Sequence, residues 1–509
     1  MQDLSQVQTG ARRQASAGAV LAIACAGVAM ASLDLFVVNV ALPRIAADLH
    51  LRGGGLGQLS WVLNAYAIAY AALLVLFGRI AERHRRDLGF LVGVATFVAA
   101  SAACGASGSL TMLIACRVIQ AAGAALLTPT SLGLVLAATA PERRHGAVRA
   151  WTAVGGLAAA LGPVIGGLLV ASSWRWVFYV NVPVGLIALA LGYRLLPPIA
   201  GQPLRRPNAS GALLITLGVA ALALGLVDGG GWGWGDAKTL AALGLAAGAL
   251  ALFAAHTAWH ANPLIERSLF HIRPFTGASV VAVLFSAAFG AMLLSRVLWA
   301  QDVWHFSPLL TGLAIAPGPI MVPMVAWALT GRLVQGFGAG AVIAAGCTLF
   351  AAGLAWWALA IGLRPDYTGE MLGGMLLTGI GVGMTLPTLM ASAAASLPDR
   401  AFATGSAVIN MLRQIGLAVG VAALVAALGT PASPAATLVS YQRAAWITAG
   451  TSLAGALAGL LLLSAQGCAR NASQQIGASA SAAVCARTRG SRAPKVAAAS
   501  CPERPPPPP

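Results

Sequence analysis

From Ala17 onward the chain is a series of long apolar runs separated by short breaks rich in Gly, Pro and Arg. Fourteen runs are legible, near 17–42, 58–80, 88–108, 111–137, 147–171, 175–196, 209–228, 236–257, 276–301, 309–335, 338–361, 369–393, 405–428 and 443–466. A helix of about 20 apolar residues crosses a hydrocarbon core of about 30 Å, and each run approaches or exceeds that length. The runs are too long and too continuously apolar for barrel strands, which alternate apolar and polar positions. Helices are the other structure that satisfies its own backbone groups in lipid. The pattern therefore predicts an all-α polytopic membrane protein with fourteen transmembrane helices. It stops after about residue 467, where a low-complexity basic segment ends in PPPPP. Such a segment cannot bury a core, so residues 467–509 are predicted to be a disordered cytoplasmic tail.

Composition agrees with that pattern. Only 9% of the 509 residues are charged and 58% are hydrophobic, against about 25% charged in a soluble domain. The mean hydropathy is +0.81. The net charge of +17 would suit a nucleic-acid ligand if it formed a patch. Instead it is distributed over alternate loops. With the N-terminus inside, the inner loops hold Arg83, Arg85, Arg86, Arg143, Arg144, Arg149, Arg205, Arg206, Arg267, Arg273 and Arg400. The outer loops hold Arg44, Arg52, Arg175, Lys238, Arg364 and Arg443. That bias orients the chain in a cell inner (plasma) membrane. An even number of spans then puts both termini in the cytoplasm, and no nucleic-acid partner is expected. The first run is too long for the h-region of a cleavable signal. The seven cysteines show no CxxC pair or zinc spacing, so Cys25, Cys104, Cys116 and Cys347 read as small packing residues.

Polar residues inside apolar runs are costly and mark function by default. Asp34 is one, in LDLFVVNVALP of span 1. Arg117, in span 4, is another. Span 4 runs opposite to span 1, and at 1.5 Å per residue both charges lie roughly 10 Å below the outer surface. Opposite charges at matching depth can pair, which lowers the cost of each. Gln120 lies three residues after Arg117 on the same helix face. It either meets substrate or water in a cavity or bonds a neighbouring helix. Asn39, Asn64, Tyr66 and Asn410 are weaker candidates of the same kind. Pro163 predicts a kink, and Gly162, Gly166 and Gly167 around it predict close helix packing.

Spans 1–6 and 9–14 read as two halves of a parallel repeat, a known transporter plan. Gly78-Arg79-Ile80 ends span 2 and Gly331-Arg332-Leu333 ends span 10, the equivalent position. The expected divisions are a cytoplasmic N-terminus at 1–16, a six-helix half at 17–197, an inserted pair with linkers at 198–275, a second half at 276–466 and the tail. The Gly/Trp-rich DGGGWGWGD, Asp228 to Asp236, joins the inserted spans, and its tryptophans read as interfacial anchors.

Several segments together resemble one family. LDLFVVNVALP resembles the first-helix signature LDxTVVNVALP of the fourteen-helix drug:proton antiporters of the major facilitator superfamily. GRIAERHRRD, Gly78 to Asp87, resembles the superfamily loop motif GxLaDrxGrr, and RVIQAAGAAL, Arg117 to Leu126, resembles RxxQGxGaA. LGPVIGG, Leu161 to Gly167, resembles the antiporter motif GPxxGG. WRWVFYVNVPVG, Trp174 to Gly185, and GSAVINMLRQIGLAVG, Gly405 to Gly420, are also typical of the subfamily. The departures are Phe36 for Thr, Glu82 for the loop Asp, Arg85 for the loop Gly and Ala121 for Gly. Arg85 is the most disruptive of these, because Gly permits a tight turn.

The resemblance implies two six-helix halves with two inserted helices, and proton-coupled export of drugs or other small molecules by alternating access. It implies a part in proton coupling for Arg117, and the buried acid Asp34 beside it is then expected to exchange the proton, which would break the pair and bias the carrier. A static ion pair is the alternative. It implies a cytoplasmic gating loop at Gly78, Arg79, Glu82, Arg83 and Arg86, against a loop that only sets topology. It implies an antiporter motif at Gly162, Pro163, Gly166 and Gly167, against tight packing without motion. Asn410, Arg413 and Gln414 form a further motif in the second half, read chiefly as structural. The expected partners are the bilayer, protons and a small-molecule substrate, with a periplasmic adaptor left open. A narrow metabolite or antibiotic exporter of the same fold is the second reading. A membrane enzyme or sensor is remote: His84, His145, His256, His260, His271 and His305 are scattered, and neither HExxH nor GxxxxGK[ST] occurs. No enzyme activity, metal or cofactor is expected.

Overall fold

The computed structural model describes residues 16–50, 55–140, 143–199, 209–260, 263–265, 267–397, 402–429, 431 and 433–463. The tail and most of the N-terminal segment lie outside these residues, as do Arg52, Arg205, Arg206 and Arg400. The helices are α1 (Ala17–Asp48), α2 (Gly55–Arg83), α3 (Arg86–Gly105), α4 (Leu110–Ala138) and α5 (Arg144–Ser172). They continue with α6 (Trp176–Leu195), α7 (Ala209–Trp232), α8 (Ala237–Trp259), α9 (Arg273–Val303) and α10 (Pro308–Phe337). The last four are α11 (Ala339–Ala360), α12 (Tyr367–Ala393), α13 (Phe402–Leu428) and α14 (Pro434–Leu463). Among the described residues, 13 helices are long and apolar enough to cross a membrane, or 14 with the bent α5.

Local chemistry sets where the helices start, bend and stop. Ser16, Ser109 and Ser307 cap α1, α4 and α10, each accepting a backbone N–H of the first turn. Within α5, Gly146–Ala159 and Leu161–Ser172 meet at 42°. Pro163 has no N–H to give the preceding turn, which is the usual cause of such a bend. Span 10 is less regular than its apolar run predicts. Pro317, Pro319 and Pro323 divide α10 into Pro308–Ile315, Pro317–Val325, a π-turn at Ala326–Thr330 and Gly331–Phe337. Span 6 likewise breaks into Trp176–Tyr179 and Asn181–Leu195. Conversely, α7 runs on through Trp232, into residues expected to be loop. Gly233, at φ +100, then ends it in a conformation that suits glycine.

The packing repeats every eight helices. α1 packs on α5 as α9 packs on α13, α3 on α4 as α11 on α12, and α2 on α4 as α10 on α12. The largest contacts between the first six helices and the last six are α2 with α13 and α5 with α10, which are equivalent in the same sense. The pair α7 and α8 packs together, and α7 lies against both α2 and α13.

Glycines allow the closest crossings. A Cβ at Gly123 of α4 would lie 2.6 Å from the Phe97 backbone nitrogen of α3. Overpacking at such a site costs about 1–3 kcal/mol. Gly123→Val is therefore expected to lower the detergent melting temperature and the folded yield. Size-exclusion chromatography with a fluorescent fusion measures both.

Candidate functional site

Asp34 and Arg117 are both 0% exposed. Arg117 Nη1 donates to Asp34 Oδ2, joining α4 to α1. The other carboxylate oxygen accepts from Gln120 Nε2 at 2.9 Å and from Asn181 Nδ2 at 3.1 Å. The assembly extends one layer outward. Ser101 Oγ of α3 accepts from Gln120 and Asn181, each at 3.1 Å, and donates to the Phe178 carbonyl at 2.9 Å. Arg117 Nη1 also donates to Gln120 Oε1 at 2.8 Å, and Nε donates to the Val62 carbonyl of α2 at 3.2 Å. The guanidinium lies 4.0 Å over the Tyr66 ring, an attraction worth about 2 kcal/mol when desolvated. Side chains or carbonyls from five helices, α1, α2, α3, α4 and α6, thus converge on one ion pair.

A cavity of about 30 Å³ adjoins the pair. Arg117 and Asn64 are on its wall, with Asn39, Phe36 and residues of α9 and α13 opposite, including Gly290 and Leu417. It therefore lies between the first six helices and the last six. Of the candidate cavity residues, Asn39 and Asn64 line it. Asn39 spends its amide N–H groups on the Leu35 and Phe36 carbonyls, both at 3.3 Å. Gln120 and Tyr66 do not line it. Gln120 is committed to Asp34 and Ser101, and Tyr66 lies under Arg117 and stacks on Tyr70 at 6.0 Å.

The glycines of α5 face two directions. A Cβ at Gly162 would lie 2.7 Å from that of Phe36, and one at Gly166 2.8 Å from the Val37 carbonyl oxygen, both in the turn after Asp34. A Cβ at Gly167 would lie 2.5 Å from the Pro308 carbonyl oxygen of α10, and one at Gly312 would collide with the Pro163 carbonyl. Gln301 Nε2 of α9 donates to the Val40 carbonyl at 3.1 Å, three residues beyond Val37 on α1. So one kinked helix touches the helix of Asp34 and closes the bundle against α10.

The model of the Major Facilitator Superfamily matches residues 24–421. The chain belongs to the major facilitator superfamily. Among its relatives is the tetracenomycin C resistance and export protein of Streptomyces glaucescens, 33% identical over 417 residues, covering 81% of this chain and 74% of that protein. The methylenomycin A resistance protein of Streptomyces coelicolor is 33% identical over 424 residues, covering 82% and 87%. A crystal structure of a POT family transporter superposes with a TM-score of 0.61 at 16% identity, covering 87% of this chain and 97% of that one. That likeness shows the major facilitator fold.

The loop between α2 and α3 of this major facilitator protein is tied down at several points. Arg79 Nη1 donates to the Pro263 carbonyl at 3.0 Å, and Arg86 Nη1 to the Gly133 carbonyl of α4 at 3.4 Å. Gly78 packs near Pro129 and Arg83 is half-buried. The Glu82 side chain lies outside the described residues. Arg85 does not need to be glycine. Its φ is −63°, an ordinary value, and its guanidinium pairs with Asp87 at 2.6 Å. The buried Asp87 also accepts from the Ile199 backbone N–H at 3.3 Å. In α13, Asn410 donates to the Ser406 carbonyl at 3.0 Å and accepts from Arg413 at 3.3 Å. Gln414 is buried, and its Oε1 has no partner among the described residues.

Reading the sequence singled out neither Ser101, Asn181, Gly312 nor Gln301. The sequence signal for Ser101 is a small polar residue in an apolar run, which Ser also gives when it bonds its own helix, while Asn181 lies within the family-typical WRWVFYVNVPVG without standing out in it.

Proposed function

We propose that the protein exports small molecules in exchange for protons by alternating access. The single observation that carries this reading is the Asp34–Arg117 pair, fully buried and on the edge of a cavity between the two sets of six helices. Each hydrogen-bond partner of the Asp34 oxygens donates to it. A proton on Asp34 removes the negative member and leaves Arg117 as a buried cation without its anion. Breaking a buried pair in this way costs about 3–5 kcal/mol, enough to move a two-state equilibrium by roughly two to four orders of magnitude.

The route from that site to the gate is short. Phe36 and Val37 of α1 pack on Gly162 and Gly166, and the same stretch of α5 holds α10 through Gly167 and Gly312. A shift of α1 therefore reaches the α5–α10 seal through direct packing. The charge bias of the loops puts that seal on the outer side of the cytoplasmic membrane, with both termini inside. The described conformation is then closed to the outside. Substrates of the antibiotic class are supported by the relatives named for tetracenomycin C export and methylenomycin A resistance.

The test is proton release in proteoliposomes carrying an imposed pH gradient. Adding a transported compound is expected to collapse the gradient at a rate that saturates, and a proton ionophore is expected to stop uphill movement of the compound. Uphill movement that persists with the ionophore would rule out proton exchange.

A further inference from the structure

The cavity beside Arg117 is apolar apart from a small group of atoms. Leu35, Phe36, Leu63, Leu293, Leu417 and Val421 supply much of its wall. Asn64 is 0% exposed, and neither its Oδ1 nor its Nδ2 has a hydrogen-bond partner among the described residues. Arg117 Nη2 is in the same condition. Buried polar atoms are nearly always bonded to protein or water. Here three unbonded ones belong to two residues that line the same cavity: two donors, one of them cationic, and one acceptor. No carboxylate lines it, and Asp34 is held away by its own partners.

We propose that Asn64 and Arg117 Nη2 form the subsite that binds the polar head of the exported molecule. They select a neutral or anionic head that presents an oxygen acceptor beside a donor, such as an amide, carboxylic acid or hydroxy-carbonyl group, on an apolar body. Permanent cations are rejected, because the fixed charge on the wall is itself positive. The present volume suits about two waters, which satisfy these atoms until substrate oxygens replace them in a wider state. The same guanidinium holds Asp34 through Nη1, so an Arg117 that swings away on protonation takes Nη2 away from Asn64. Proton binding thus dismantles the subsite, as exchange requires. This inference rests on the exporter reading, and the alternative is that Asn64 is an ordinary core residue.

The experiment measures binding of three probes that share one apolar body to the full-length protein in nanodiscs: naphthamide, naphthoate and naphthyltrimethylammonium. Wild type is expected to prefer the first two to the third by about tenfold or more, the worth of one to two hydrogen bonds. Asn64→Leu is expected to weaken naphthamide by about tenfold while keeping the wild-type melting temperature and elution profile in detergent, which show that the variant is folded. Asn64→Asp is expected to raise the affinity for the ammonium probe. The assignment is overturned if wild type prefers the cation, if none of the probes binds, or if Asn64→Leu leaves naphthamide binding as it was. Proton exchange is measured separately in proteoliposomes. Its loss with the preference intact would count against the exporter reading and leave the subsite standing.

Discussion

Asp34→Asn is expected to abolish proton-driven export while leaving the protein folded. Asparagine keeps the size of the side chain but only one of the two acceptor oxygens, so it can accept either from Arg117 or from Gln120 and Asn181, while Gln120 and Asn181 still bond Ser101. The group that gains and loses the proton is gone. Arg117 also loses its anion permanently, a bias of about 3–5 kcal/mol toward whichever state best accommodates an unpaired guanidinium. Uphill efflux of a fluorescent substrate should fall by about two orders of magnitude or more. Full efflux by Asp34→Asn would make the pair structural and send the search for the proton site elsewhere. A double variant separates the two roles from the other side. Asp34→Leu with Arg117→Met replaces a buried ion pair by packed apolar groups, which is often neutral or stabilising. It should melt near the wild-type temperature in detergent and yet export nothing.

Gly312→Val is expected to open the seal between α5 and α10. The Pro163 carbonyl occupies the space its Cβ would need, and Gly167 meets the Pro308 backbone from the other helix in the same way. Neither obstacle is the end of a flexible side chain, so the helices must separate. At about 1–3 kcal/mol for such overpacking, the ratio of closed to open carriers shifts by roughly 5- to 150-fold. Val40 is buried three residues beyond Val37, which packs on Gly166 of α5, and its carbonyl is bonded to Gln301. A Val40→Cys protein should react slowly with a membrane-impermeant maleimide added outside, and much faster once Gly312→Val is added. Efflux should drop together with the rise in labelling. Unchanged labelling with unchanged efflux would mean that this contact does not gate the carrier.

The fold class was legible in the sequence because lipid leaves so few options. Twenty-residue apolar runs must be helices, and the arginine bias gives an expected orientation without reference to any contact. Asp34 and Arg117 were legible for a related reason. A charge in an apolar run needs a partner, and depth along a helix follows from residue count alone. Pro163 marked a break in α5 because a missing N–H acts locally.

What rotation and neighbours decide was not legible. Helices apolar all round carry no polar stripe that says which face turns inward. Gln120 and Asn64 therefore looked alike in sequence. Packing commits Gln120 to Asp34 and Ser101, and leaves both amide atoms of Asn64 unbonded at the cavity. Arg85 looked disruptive because the loop's conformation depends on Asp87 and Ile199, which take up the chain in an ordinary backbone geometry. Ser101, Asn181 and Gly312 are small residues of a kind found throughout the chain. They differ from the others only in which helix stands opposite, and that is set when α3, α6 and α10 pack against their neighbours.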